Sequence, residues 1–153
     1  MPGWVKLNTD GVVFGNPKKA GGGGVLGDSN EDWVARFMRK LGSMSSTMVE
    51  LWALKDGLFL AWQLDILNIN IGLHVHVLVH LLTNPSSLNL MLEPLLNDWR
   101  NLIKAFPNYT MTHIFREANK CVDKLANMGA TQPTDFLLLH ESPPVVDNML
   151  VLI

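Results

Sequence analysis

The sequence contains a single cysteine, Cys121, so no disulfide can close within the chain, and such a chain suits a reducing compartment. It has no run of about 18 apolar residues, so no membrane span is expected. No basic region followed by an apolar stretch opens it. No secretory signal is therefore read, and an intracellular location, nuclear or cytoplasmic, is expected. A Gly-Lys-Ser/Thr phosphate loop is missing, and no zinc signature surrounds the histidines. Charge is scarce: 17% of residues are charged, 12 basic against 14 acidic, for a net charge of -2. That balance excludes a protein held on nucleic acid mainly by its overall charge. Any such binding needs a local patch, or metal ions that offset carboxylates. Internal repeats are absent. What the chain does have is apolar residues, 48% of 153, enough for the core of one globular domain.

Trp4-Val5-Lys6-Leu7-Asn8-Thr9-Asp10-Gly11 alternates apolar and polar residues and reads as a strand that ends at an acid followed by glycine. The bland reading of Asp10-Gly11 is a turn; the other is a carboxylate held rigidly over a sheet. Val12 to Lys19, with Gly15-Asn16-Pro17, reads as a loop or hairpin turn. Gly21-Gly22-Gly23-Gly24 is either a flexible linker or part of a strand that something approaches closely; Val25-Leu26 continuing it favours the strand. Trp33 to Arg39 returns as a third strand, giving an antiparallel meander.

A long helix is expected over Thr47–Leu64, with Glu50, Ala53, Leu54, Gly57 and Ala61 on one face, small enough to lie close on a sheet. Thr47-Met48-Val49-Glu50 fits a capping box, so Glu50 has a structural reading of its own. Ile66–Leu73 alternates as a fourth strand, parallel to the first because a helix intervenes. His74–Leu82 reads as a short helix or turn, Leu88–Phe106 as a helix broken near Pro94, Tyr109–Phe115 as a fifth strand, and Glu117–Ala130 as a helix. The domain is placed at residues 1–130 and a Pro-marked tail, packed on it or extending from it, at 131–153. Trp33, Trp52, Trp62 and Trp99 read as core residues rather than base-stacking platforms. His76 and His80 share a helix spacing with no further ligand signature.

Four segments in this order carry a resemblance: Lys6 to Gly11, Gly22 to Leu26, Glu50 to Leu58, and Phe115-Arg116-Glu117-Ala118-Asn119-Lys120-Cys121-Val122-Asp123-Lys124-Leu125-Ala126. Together they resemble the plant-type ribonuclease H-like domain found in plant genomes and in plant non-LTR retroelement reverse transcriptases. The resemblance implies an α/β fold with a mixed five-stranded sheet, the first three strands antiparallel, flanked by helices on both faces. It implies hydrolysis of the RNA strand of an RNA–DNA hybrid with two divalent ions, Mg2+ or Mn2+, held by carboxylates from separate elements.

Carried over, Asp10, Glu50 and Asp123 match three of four metal-binding acids, His113 matches a histidine that assists proton transfer, and Arg116 and Asn119 fall in the motif that supports the substrate backbone. At the fourth acid the chain reads Ile71-Gly72-Leu73-His74, with His74 in place of aspartate. Imidazole is a poor magnesium ligand. Asp10, Glu50, His74 and Asp123 are therefore expected to converge in a weakened site. Read without the resemblance, Asp123 is a solvated helix residue and His113 a strand histidine with no chemistry. The first functional expectation is a hybrid-cleaving nuclease with an impaired two-metal site, part of a larger reverse transcriptase polyprotein. The second is a catalytically inactive module that keeps the fold to bind nucleic acid or protein.

Overall fold

The computed structural model describes residues 3–30, 32–74, 93–114, 120–140 and 149–151. Among these, a sheet is built from β1 (Trp4–Phe14), β2 (Lys19–Gly27), β3 (Trp33–Gly42), β4 (Asn68–Leu73), β5 (Asn108–His113), β6 (Phe136–His140) and β7 (Met149–Val151). Three helices accompany it: α1 (Ser46–Gln63), α2 (Glu93–Ile103) and α3 (Lys120–Thr131). The strand order is β5-β4-β1-β2-β3-β6-β7. β1 pairs antiparallel with β2, and β2 with β3, while β1, β4 and β5 run parallel. The expected meander and the expected parallel pairing of β4 with β1 are both present, and β5 extends the parallel set.

The glycine run is explained by what lies on either side of it. Successive residues of a strand face opposite ways. A Cβ on Gly21 would lie 2.2 Å from the Ala126 carbonyl oxygen and one on Gly23 2.7 Å from the Ala126 nitrogen, both in α3. A Cβ on Gly22 would instead meet Ala53 of α1 at 3.3 Å. Strand β2 is thus pressed by a helix from each face, and on the α3 face only glycine permits the approach. Gly57 of α1 does the same from the helix side, because a Cβ there would strike Leu7 at 2.7 Å. Gly21→Ala is expected to destabilise the fold by about 1–3 kcal/mol or more through overpacking against helix backbone that cannot swing aside. Urea denaturation of that variant is the check, and an unchanged midpoint would show that α3 does not hold this position.

The larger core lies between the sheet and α1 with α2, where Leu7, Leu26, Phe37, Leu54, Leu58, Ile69, Ile71 and Leu96 are buried. Each such side chain contributes about 1.5–3 kcal/mol by leaving water. A smaller cluster of Met38, Leu125 and Leu137 seats α3 on the other face. None of the helices among the described residues is long and apolar enough to cross a membrane.

Several boundaries differ from expectation. β1 does not stop at Asp10 but runs on to Phe14, and the chain turns only at Gly15, where φ is +86°. Helix α1 is capped by Ser45, whose hydroxyl accepts from the Met48 backbone N–H at 3.3 Å, so Thr47 and Glu50 do not form the capping box. Pro94 lies in the first turn of α2, where its missing N–H is harmless, and the part of the expected helix before Glu93 lies outside the described residues. β5 closes at His113, and α3 is described from Lys120 to Thr131. Among the described residues the sheet has seven strands rather than five. Phe136-Leu137-Leu138-Leu139, read as tail, forms an unbroken apolar strand antiparallel to β3.

Trp99 is buried, but Trp62 is 51% exposed and stacks on exposed Phe59. Trp33 and Trp52 are half-buried, each beside a cation, Arg36 at 3.9 Å and Lys55 at 4.7 Å from the ring centre. His76, His80, Arg116 and Asn119 lie outside the described residues, as does the stretch from position 75 to 82 read as a short helix or turn.

Candidate functional site

Asp10 sits in the middle of β1, opposite Gly23 of β2. Directly opposed residues share a face, so its side chain points to the side of the sheet that α3 covers. One carboxylate oxygen, Oδ1, accepts the Gly11 backbone N–H at 2.9 Å, which fixes the group against its own strand. Glu50 arrives from the other side. Gly11, next to Asp10, has no side chain, and a Cβ there would lie 2.6 Å from Val49 Cγ1 and 2.8 Å from the Glu50 nitrogen. The first turns of α1 therefore rest directly on β1. The glycine that reads in sequence as a turn residue is needed for this close approach.

His74 follows the last residue of β4, which runs parallel to β1 with Asn8 opposite Gly72. Its Nε2 lies 3.5 Å from Asp10 Oδ1. Asp10, Glu50 and His74 each offer a ligand atom, and these atoms lie within 4.8 Å of one another. All three residues are buried, at 8%, 7% and 7% exposure. Burying two carboxylates costs free energy unless hydrogen bonds or a cation offset it. A pair of carboxylate oxygens with one imidazole nitrogen, gathered at that spacing, is a donor set that fits a divalent cation.

His113 ends β5 beside Leu73, and the Ile114 backbone N–H donates to the Leu73 carbonyl at 3.0 Å. It is exposed and stands one strand away from the segment that carries His74, at the carboxyl ends of the parallel strands. Ligands of open α/β sheets gather at such ends. Asp123 is exposed on α3 and accepts from Asn127 Nδ2 at both its carbonyl, 2.9 Å, and its carboxylate, 3.4 Å. It is not in the cluster of three. The helices that carry Glu50 and Asp123 lie on opposite faces of the sheet. Glu50 nevertheless reaches Asp10, because Gly11 opens the way, while Asp123 stands on the face toward which Asp10 points.

A mixed sheet with this strand order, helices on both faces and an acidic cluster at its central strand defines a ribonuclease H-like domain. The chain belongs to the reverse transcriptase-like family, whose model matches residues 8–129, and is of the plant type. It is 31% identical over 148 residues, 97% of its length, to an Arabidopsis thaliana protein named for ribonuclease H. It spans about a quarter of that relative, 24%. The RNase H1 of Halobacterium salinarum superposes with a TM-score of 0.76 at 25% identity, over 82% of this chain and 96% of that one. A metagenomic RNase H1 from compost, solved in complex with an RNA/DNA hybrid, superposes with a TM-score of 0.71 at 23% identity, over 82% and 96%.

Proposed function

We propose that the domain binds RNA–DNA hybrids and cleaves their RNA strand weakly, with Asp10 and Glu50 as the main holders of a divalent ion, Mg2+ or Mn2+. The observation that carries this reading is the convergence of Asp10, Glu50 and His74 from three separate elements. Asp123 supplies a further carboxylate from the α3 side, and His113 exchanges protons with solvent and substrate, a role that its exposure at the strand ends supports. Arg116 and Asn119 support the substrate backbone on the strength of the motif they occupy. The compost relative was solved with such a hybrid, which supports the substrate class. When bound, the ion supplies charge that lowers the barrier to phosphodiester hydrolysis. His74 supplies nitrogen where a carboxylate oxygen suits magnesium better, which is the reason to expect a weakened site.

A ligand that binds only the folded chain raises its melting temperature. Millimolar Mg2+ or Mn2+ is therefore expected to raise the melting temperature of the wild type, with Mn2+ giving the larger shift. The Asp10→Asn/Glu50→Gln variant should show little shift. If wild type and variant respond alike, the cluster is not an ion site. Activity is tested separately, by cleavage of a labelled hybrid.

A further inference from the structure

The net charge of -2 leaves the electrostatics of nucleic-acid binding to a local patch, and the structure contains one away from the acidic cluster. Lys18 and Lys19 at the β1–β2 turn and Lys40 near the end of β3 line a cavity of about 180 Å³ together with Gly42, Ala130 and Thr131. Among the described residues no acidic side chain lines it. All three lysines are exposed, and among the described residues none has an ion-pair partner. Lys55, by contrast, is paired with Asp98 at 3.0 Å. Among the described residues the hairpin lysines thus converge without an ion pair, in a chain that has only 12 basic residues.

Their place relative to the cluster matters. Lys19 pairs with Phe14, four residues beyond Asp10 on the same strand, or about 13 Å along it. Lys40 pairs with Gly21, on the face toward which Asp10 also points. A separation of about 13 Å corresponds to about four nucleotide steps of a duplex at 3.4 Å each. One nucleic acid seated at Asp10 can therefore lay a phosphate in the cavity.

We propose that Lys18, Lys19 and Lys40 form a phosphate-backbone contact for the hybrid, a site that holds the substrate without taking part in its cleavage. The inference rests on the nucleic-acid reading above. The lysines also stand at the carboxyl end of α3, which has no basic residue in its last turn, so they complement its dipole as well. That second role predicts a change in stability but not in the salt dependence of binding.

The test is fluorescence anisotropy of a labelled RNA–DNA hybrid, in EDTA so that nothing is cleaved, across a series of salt concentrations. The probe is titrated with wild type, Lys18→Gln/Lys19→Gln/Lys40→Gln, the milder Lys18→Gln/Lys19→Gln and a control, Lys104→Gln. The triple variant is expected to bind about tenfold more weakly, with a slope of log affinity against log salt shallower by roughly one to two. The double variant should fall between, and the control should match wild type. Melting curves confirm folding, and the double variant decides the matter if the triple one is unfolded. A wild type that binds while the lysine variants keep its slope overturns the cavity and leaves the hybrid reading intact. A wild type that binds no hybrid at any salt overturns both.

Discussion

Replacing His74 by aspartate is expected to speed cleavage of the RNA strand by about a hundredfold or more in magnesium. A hundredfold is about 2.7 kcal/mol, within the several kcal/mol that a divalent ion contributes to hydrolysis. The reason lies in the donor atom. His74 Nε2 stands 3.5 Å from Asp10 Oδ1, inside the cluster, so a carboxylate at this position would add oxygen where nitrogen now is. Magnesium demands near-ideal oxygen coordination, whereas manganese accepts imidazole more readily. The gap between wild type and His74→Asp should therefore narrow in manganese. The same substitution sets a third carboxylate beside Asp10 and Glu50. In EDTA the variant should melt below wild type through like-charge repulsion, and magnesium should reverse the loss. Single-turnover cleavage of a labelled hybrid and melting curves with and without ion read both effects. Equal rates in magnesium would show that position 74 does not limit the reaction, whatever its proximity to Asp10.

The features that were legible in the sequence are the ones set by short-range pattern. Alternation marked β1 and β4, a helix between them dictated their parallel pairing, and the glycine run pointed to close backbone approach. The motif order singles out Asp10, Glu50 and His74, which the fold brings together, and Asp123, which stays outside their cluster. What could not be read depends on partners distant in the chain. Gly11 looks like a turn residue until Val49 and Glu50 are seen resting on it. Thr47 fits a capping box with Glu50, but α1 starts at Ser46 and takes Ser45 as its cap, a choice that the packing of the helix makes. Phe136 to Leu139 resembles an apolar tail because its pairing partner, β3, lies about a hundred residues earlier. The meeting of Lys18 and Lys19 with Lys40 depends likewise on the β2–β3 register, which includes an irregularity between Ala20 and Gly21.

A charge pair that sequence gave no hint of carries the largest expected stability effect. Asp56 projects from α1 into the interface with the sheet, buried at 8% exposure, and Arg39 of β3 donates to it through Nε. The guanidinium is also held near the rings of Phe136, 4.6 Å, and Trp52, 5.6 Å. Burial pushes the Asp56 carboxyl up, against the opposing pull of Arg39 and Lys55. Arg39→Met keeps much of the apolar contact but leaves the carboxylate buried beside Lys55 alone. It is expected to cost about 3–5 kcal/mol, the usual penalty for breaking a buried pair from one side. For a chain of this size that lowers the melting temperature by about 6–20 °C.

The pH dependence follows from the direction of the shift. A carboxyl whose folded value is raised favours folding at low pH. Its contribution is full below the unfolded value near ~3.9 and is lost as pH rises through the folded value. Removing Arg39 raises that folded value further. The deficit of Arg39→Met should therefore shrink between pH 7 and pH 5, as Asp56 takes up a proton. Adding Asp56→Asn should recover part of the loss at pH 7 and little at pH 5, because the amide stands in for the neutral acid. Urea denaturation of the single and double variants at the two pH values measures this. A deficit that stays constant with pH, and that Asp56→Asn leaves unrelieved, would place the cost in lost packing of Arg39 against Trp52 and Phe136 rather than in an unpaired carboxylate.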